Sequence, residues 1–174
     1  MNLSEKEHST RSGGGTALKR FAALPLRAIV GFGFMQHGFA KLSKGPDAFA
    51  GILQALHVPA PHLSALLTIA VEIAGGAALL MGAFVTLVSI PTIVVLLTAM
   101  FTVHLPYGFS SIKVKAIVDG KAQFGPPGYE CDLLYIACIV ALVLMGPGPW
   151  SVDAYLPRDR TRLRYFHWIS GQRW

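Results

Sequence analysis

From Leu63 to Val103 the chain runs for 41 residues with a single charged side chain, Glu72. One helix of that length would measure about 61 Å, twice the roughly 30 Å of hydrocarbon in a bilayer. The stretch therefore predicts two membrane-spanning helices joined by a tight hairpin, with Gly82, Ala83 and Phe84 at the turn. Upstream, Ala22 to Lys41 is apolar or small apart from Arg27 and the polar end at His37 and Lys41, and predicts a first span. Downstream, Cys131 to Met145 predicts a short fourth span ended by Gly146-Pro147-Gly148-Pro149. Pro91 falls inside the third span, where it is expected to kink the helix while neighbours satisfy the freed carbonyl. None of these runs shows the two-residue alternation of a barrel strand, so helices are the expected way of pairing backbone groups in lipid.

The expected fold is thus an all-α membrane protein, a four-transmembrane-helix bundle. Residues 1–21, polar and carrying Gly13-Gly14-Gly15, read as a disordered tail behind an uncleaved first helix. Residues 22–153 read as the transmembrane domain, and 154–174 as a basic and aromatic tail in the cytoplasm or at the interface. The loop from Leu105 to Glu130 is long enough to be functional or packed as a cap. Within it Ser111 to Val118 reads as a short strand or an interfacial turn.

Composition strengthens this reading. Hydrophobic residues make up 53% of the chain and charged residues 14%, against about 25% charged in a soluble domain. The net charge of +6 is carried outside the apolar runs. That favours anionic lipid headgroups at the tails over nucleic acid as the counter-charge. Nine Lys and Arg side chains lie in the two tails, the hairpin between spans two and three has none, and the opposite face has at most five, counting Lys41. Both termini are therefore expected in the cytoplasm. Cys131 and Cys138 stand two helical turns apart, too far for a disulfide, and read as buried free thiols.

Glu72 is the strongest chemical signal. It lies about 15 Å into its span, where a charge must face the bundle, paired or protonated. Arg27 falls at comparable depth by counting, so an Arg27–Glu72 ion pair is expected, either as a lock between helices or as part of a substrate or proton site. On the first helix Arg27, Gly31, Phe34, Gly38 and Lys41 form one stripe, with His37 beside it. His104 ends the third span, and Tyr107, His62, Glu130 and Asp132 fall near its level. Together they suggest a polar funnel opening outward above Glu72. No spacing is diagnostic of a metal, and none is assigned. Gly75-Gly76 marks a close helix contact.

These patches carry a family resemblance: RAIVGFGFMQHGFAKL from Arg27 to Leu42, Glu72-Ile73-Ala74-Gly75-Gly76 with Leu79-Leu80 and Gly82, His104 with Gly108-Phe109, and Gly146 to Asp153 (GPGPWSVD). In order and spacing, over residues 22 to 153, the chain resembles the DoxX family of bacterial membrane proteins. The resemblance implies four helices in the cytoplasmic (inner) membrane. It also implies a part in quinone- or thiol-linked redox systems with soluble partner subunits. Carried over residue by residue, Arg27, His37, Lys41, Glu72 and His104 form the polar core, to which Glu130 is added by its level alone, and Glu72, His37 and His104 are the candidates for chemistry. His37 and His104 suit a quinone head or haem. With no flavin, nicotinamide or cysteine-pair motif of its own, an oxidoreductase subunit of this kind would rely on a partner for its electron carrier. The alternatives are a non-catalytic scaffold or receptor for soluble partners, and a small-solute carrier, as a homodimer, coupled through Glu72.

Overall fold

The computed structural model describes residues 21–155, so the tails expected at 1–21 and 154–174 lie almost wholly outside it. Helix α1 spans Ala23–Lys44 and stops at Gly45, whose φ of 94° ends the helical path. Pro46 then opens α2, Pro46–Ala55, with Asp47 in its first turn. Hydropathy alone leaves this stretch as a loop between the first two spans. Its apolar side, Ala50 and Leu53 with Phe49, packs on Ala65 and makes a small separate core.

Two continuous helices come next. The first runs Pro61–Met81 as α3 (Pro61–Ala70), a wide π-turn (Val71–Gly75) and α4 (Gly76–Met81). The second runs Val85–Tyr107 as α5 (Val85–Ala99), a second π-turn (Met100–His104) and a 3₁₀ turn (Leu105–Tyr107). Both are long and apolar enough to cross a membrane. Only 33% of the most apolar stretch of the first and 22% of the second is buried within the protein. The core helix of a soluble protein would be mostly covered, whereas Leu66, Leu67, Leu87, Ile90 and Val94 stand exposed. An apolar surface of that extent fits lipid rather than water.

The turn between them falls where expected. Gly82 ends α4 in the left-handed region at φ 66°, and Phe84 enters α5 from the same region at φ 49°. Helix α5 passes through Pro91 without ending. Around it the buried hydroxyls of Ser89 and Thr92 donate back to the carbonyls of Val85 and Val88, so both hydroxyls are satisfied within the helix.

After a β-hairpin, β1 Val114–Val118 with β2 Lys121–Phe124, the chain enters α6, Glu130–Met145, and closes with a short turn α7, Val152–Tyr155. Of the two readings for 111–118, a short strand or an interfacial turn, the strand is the one formed. Cys131 and Cys138 are both free, as expected, but Cys131 is exposed and Cys138 only half-buried. Cys138 packs at the edge of the core while Cys131 faces outward, so the apolar run around them buries neither fully.

Packing centres on α1. It meets α4 where a Cβ built on Gly31 would fall 2.7 Å from the Gly76 carbonyl, and one on Gly76 would fall 2.7 Å from the Gly31 carbonyl. The two backbones therefore touch, as small residues allow. Val30, Phe34, Leu79, Val85, Ile139 and Leu142 from α1, α4, α5 and α6 form one buried core. Phe34 meets Tyr135 edge-on at 5.8 Å. Phe21 and Trp150 meet at 5.7 Å, which puts both ends of the described chain beside the Gly82 turn.

Gly31→Val should lower the thermal midpoint of the detergent-solubilised protein, by the equivalent of about 1–3 kcal/mol, because a side chain there must force backbones apart. Gly51→Ala in α2, where no atom lies within 4 Å of the added Cβ, should leave the midpoint unchanged or slightly raised.

Candidate functional site

Arg27 is buried, and its guanidinium is directed at backbone oxygens rather than at an acid. Nε donates to the Leu79 carbonyl at 3.4 Å and Nη2 to Leu80 at 2.8 Å and Trp150 at 3.2 Å. Nη1 donates to Pro147 at 3.1 Å and Pro149 at 3.2 Å. The first two acceptors are carbonyls in the last turn of α4, Leu79 shared with the Gly82 N–H, where a cation also complements the helix dipole. The others belong to the Gly146–Trp150 loop. Gly82 leaves room for this group, since a Cβ there would fall 2.7 Å from the guanidinium carbon.

Asp153 completes the arrangement. Its carboxylate accepts from the backbone N–H of Phe84 at 2.7 Å and Val85 at 3.0 Å, and its own N–H donates to the Gly82 carbonyl at 3.0 Å. It caps the uncovered start of α5, as an N-capping acid does. The GPGPWSVD segment thus serves as a strap that Arg27 and Asp153 fasten over the Gly82 turn.

The expected Arg27–Glu72 pair is therefore not formed. Glu72 lies near the middle of its helix, about 14 Å from Met81 and about 17 Å from Pro61, and its partner is Lys41. Lys41 Nζ sits 2.5 Å from Glu72 Oε1, with the lysine side chain 25% exposed and the glutamate 6%. The reason is register. Counting from Lys41 as the helix end puts Arg27 within about 6 Å of the depth of Glu72. Helix α1 in fact continues to Lys44, and the Gly31–Gly76 crossing sets Arg27 against Leu79 and Leu80. Lys41 then reaches back along α1 to the carboxylate. Gly38 makes the space, since a Cβ there would lie 3.0 Å from Glu72 Cβ and 2.6 Å from Ile73 Cγ1.

The second oxygen, Glu72 Oε2, is buried with no hydrogen-bond partner among the described residues. Phe49 of α2 faces Lys41, with Nζ 5.2 Å from its ring centre, a cation–π distance. Sequence reasoning misses Phe49 because hydropathy marks no span at α2. Gly45-Pro46 followed by an apolar face is the available signal.

His104 and Asp132 form a second couple, Nδ1 to Oδ2 at 2.6 Å, with Asp132 buried and His104 half-buried. If Nδ1 carries the proton in this pairing, Nε2 remains as the acceptor. Both couples share a local feature, because Glu72 lies in the π-turn Val71–Gly75 and His104 in the π-turn Met100–His104. Such a turn inserts one residue and rotates the downstream helix by about 100°. It re-aims a side chain at the cost of regular hydrogen bonding, and recurs at functional sites.

The remaining expected members of the site lie apart. His37 is on the exposed side of α1 and joins neither couple. His62 lies 3.4 Å from Asp47 in an open surface pair, which contributes little. Glu130 accepts from the Ser111 N–H at 3.0 Å and braces the neck of the hairpin. Tyr107 is exposed. The structure thus gathers two separate acid–base couples where the sequence suggests one funnel. Among the described residues no cluster of His, Cys, Asp and Glu could hold a metal ion.

The DoxX family model matches residues 22–105. The match covers α1 through α5, with Arg27, Lys41, Glu72 and His104, and stops before the hairpin, Asp132 and the GPGPWSVD strap. No curated protein and no solved structure matches the chain.

Arg27→Lys should lower the thermal midpoint sharply, because three donors on a flexible stem cannot serve five carbonyls and each carbonyl left unpaired costs about 1–3 kcal/mol. Asp153→Ala should cost about 0.5–2 kcal/mol through the lost cap. A double-mutant cycle on stability should give coupling of about 0.5–3 kcal/mol between Lys41→Met and Glu72→Gln, and additivity within about 0.5 kcal/mol between Arg27→Lys and Glu72→Gln.

Proposed function

Given a DoxX domain over residues 22–105, we propose that the chain is the membrane subunit of a redox system, binding a small hydroxyl-bearing molecule of the quinol class at the Lys41–Glu72 couple. In this reading α1 and α6 join the two apolar helices as spans of a bacterial cytoplasmic membrane, with both termini in the cytoplasm. Helix α1 has 22 residues and α6 has 16, about 33 Å and about 24 Å. The Phe21–Trp150 contact supports a common side for the two ends, and the Lys and Arg content of the tails supports the cytoplasmic side.

The observation that carries the reading is Glu72 Oε2, a buried acceptor without a donor at mid-helix. An unsatisfied carboxylate oxygen in a lipid-embedded protein is costly, and a ligand hydroxyl would supply what the fold does not. The pieces fit a quinol head. Lys41 holds the other carboxylate oxygen, Phe49 offers an aromatic wall, and the π-turn aims Glu72 toward α1. A quinol supplies two electrons and two protons. Glu72 would accept a hydroxyl's hydrogen bond and proton. His104, its ring oriented by Asp132, would be a further acceptor nearer the hairpin end. Electrons would pass to a centre on a partner subunit.

A mid-helix Glu72 also suits the coupling group of a small-solute carrier, and one preparation separates the two readings. Wild-type protein purified in mild detergent should retain extractable quinone by mass spectrometry. Glu72→Gln and Lys41→Met should lose at least tenfold of it while staying folded. A quinone-free wild type, or equal quinone in Glu72→Gln, would overturn the proposal. Glu72-dependent, proton-coupled uptake in proteoliposomes would establish the carrier instead.

A further inference from the structure

The β-hairpin between α5 and α6 has an organisation that neither couple uses. Asp119-Gly120, both at positive φ, make the two-residue turn, and Val118 pairs with Lys121, Ile117 with Ala122, and Val114 with Phe124. Regular alternation along Val114–Val118 would put Val114 and Ile117 on opposite faces. The register shift between Val114 and Ala116 is a bulge that leaves Lys115 extra and brings Val114 and Ile117 to one side. Partners directly across a ladder share a face, so Val114, Ile117, Ala122 and Phe124 form an apolar face. Ala116, Val118, Lys121 and Gln123 form the other, and Lys115, unpaired at the bulge, belongs to neither ladder face.

Every strand residue is exposed, Ile117 at 73%. Ile112 and Phe109 extend the apolar surface at the base. An isolated two-stranded hairpin is marginal in water. This one is held at its neck by paired backbone bonds, Gly125 to Lys113, Gly128 to Ser110, Tyr129 to Gly108 and Glu130 to Phe109. Its apolar face has no cover within the described residues.

We propose that the apolar face of this hairpin lies in the headgroup layer of the chain's own bilayer, with Lys113, Lys115 and Lys121 engaging anionic lipid phosphates. Three observations select lipid as the occupant. The hairpin continues directly from the apolar Val85–Tyr107 helix, so it emerges at the membrane surface. Its neck carries Tyr107, Phe109 and Tyr129, the last two in edge contact at 5.6 Å, and aromatic residues collect at the headgroup level. Its charge is basic, three lysines against Asp119 alone once Glu130 is taken up by Ser111, and apolar residues flanked by lysines are what an interfacial element presents.

The test uses the full chain in vesicles of phosphatidylcholine with and without phosphatidylglycerol. A nitroxide is placed by Ile117→Cys, Phe124→Cys or Gln123→Cys in a Cys131→Ser/Cys138→Ser background. Collision rates with lipid-soluble oxygen and a water-soluble nickel chelate are then compared. At positions 117 and 124 oxygen should exceed nickel several-fold, with the reverse at 123. Lys115→Gln/Lys121→Gln should lower the ratio at 117 in the vesicles containing phosphatidylglycerol. Equal nickel access at 117 and 123 would overturn the proposal by showing a hairpin free in water. Shielding of 117 from both reagents would overturn it in favour of a protein partner. An unchanged ratio in the lysine variant would overturn the role given to anionic lipid.

Discussion

Backbone contact between Gly31 and Gly76 sets how far α1 is slid along its neighbour, and the pairings of Arg27 and Lys41 both depend on that offset. With no side chain at either position the helices close until backbone meets backbone. Dispersion, rather than hydrophobic burial, holds such a contact in lipid. Two turns toward the hairpin end, Gly38 leaves the space that Glu72 and Ile73 fill. One turn the other way, Arg27 comes to the last carbonyls of α4. A slip of three or four residues would put Arg27 nearer Glu72 and leave Lys41 without a partner.

The buried charges are treated in opposite ways. Arg27 has five acceptors and its surroundings are complete, so its role is to hold the Gly82 turn and the strap after α6 together. Asp153 similarly commits both oxygens to the start of α5. Glu72 is half satisfied, with one oxygen on Lys41 and the other on nothing among the described residues. In a low-dielectric interior the difference between a complete and an incomplete polar network is large. On the proposed function, that contrast makes the glutamate, and not the arginine, the group that would meet a ligand. The π-turns at Glu72 and His104 are consistent with this, since each gives up regular helical bonding where one side chain must be re-aimed.

The hairpin shows a local irregularity with a comparable effect. Without the bulge at Lys115, Val114 and Ile117 would fall on opposite faces of β1. With it they share the face of Ala122 and Phe124. The Asp-Gly turn that closes the hairpin is a strong short-range signal. It is legible in the sequence, although the upstream segment by itself reads only as a strand or an interfacial turn.

What the sequence determined by itself was the set of long apolar helices, the place of the Gly82 turn, and the residues whose polarity requires a reason: Arg27, Lys41, Glu72 and His104. Hydropathy and helical rise suffice for that, because each property belongs to one segment. What only the tertiary structure decided was who pairs with whom. Partnership depends on the slide and rotation between helices, which two glycines, a helix three residues longer than its apolar run, and two π-turns set together. Counting along single helices places a charge in depth but leaves its direction and its neighbour's offset free. So the arginine that seemed to belong to Glu72 went to backbone carbonyls, and the lysine at the helix end took its place.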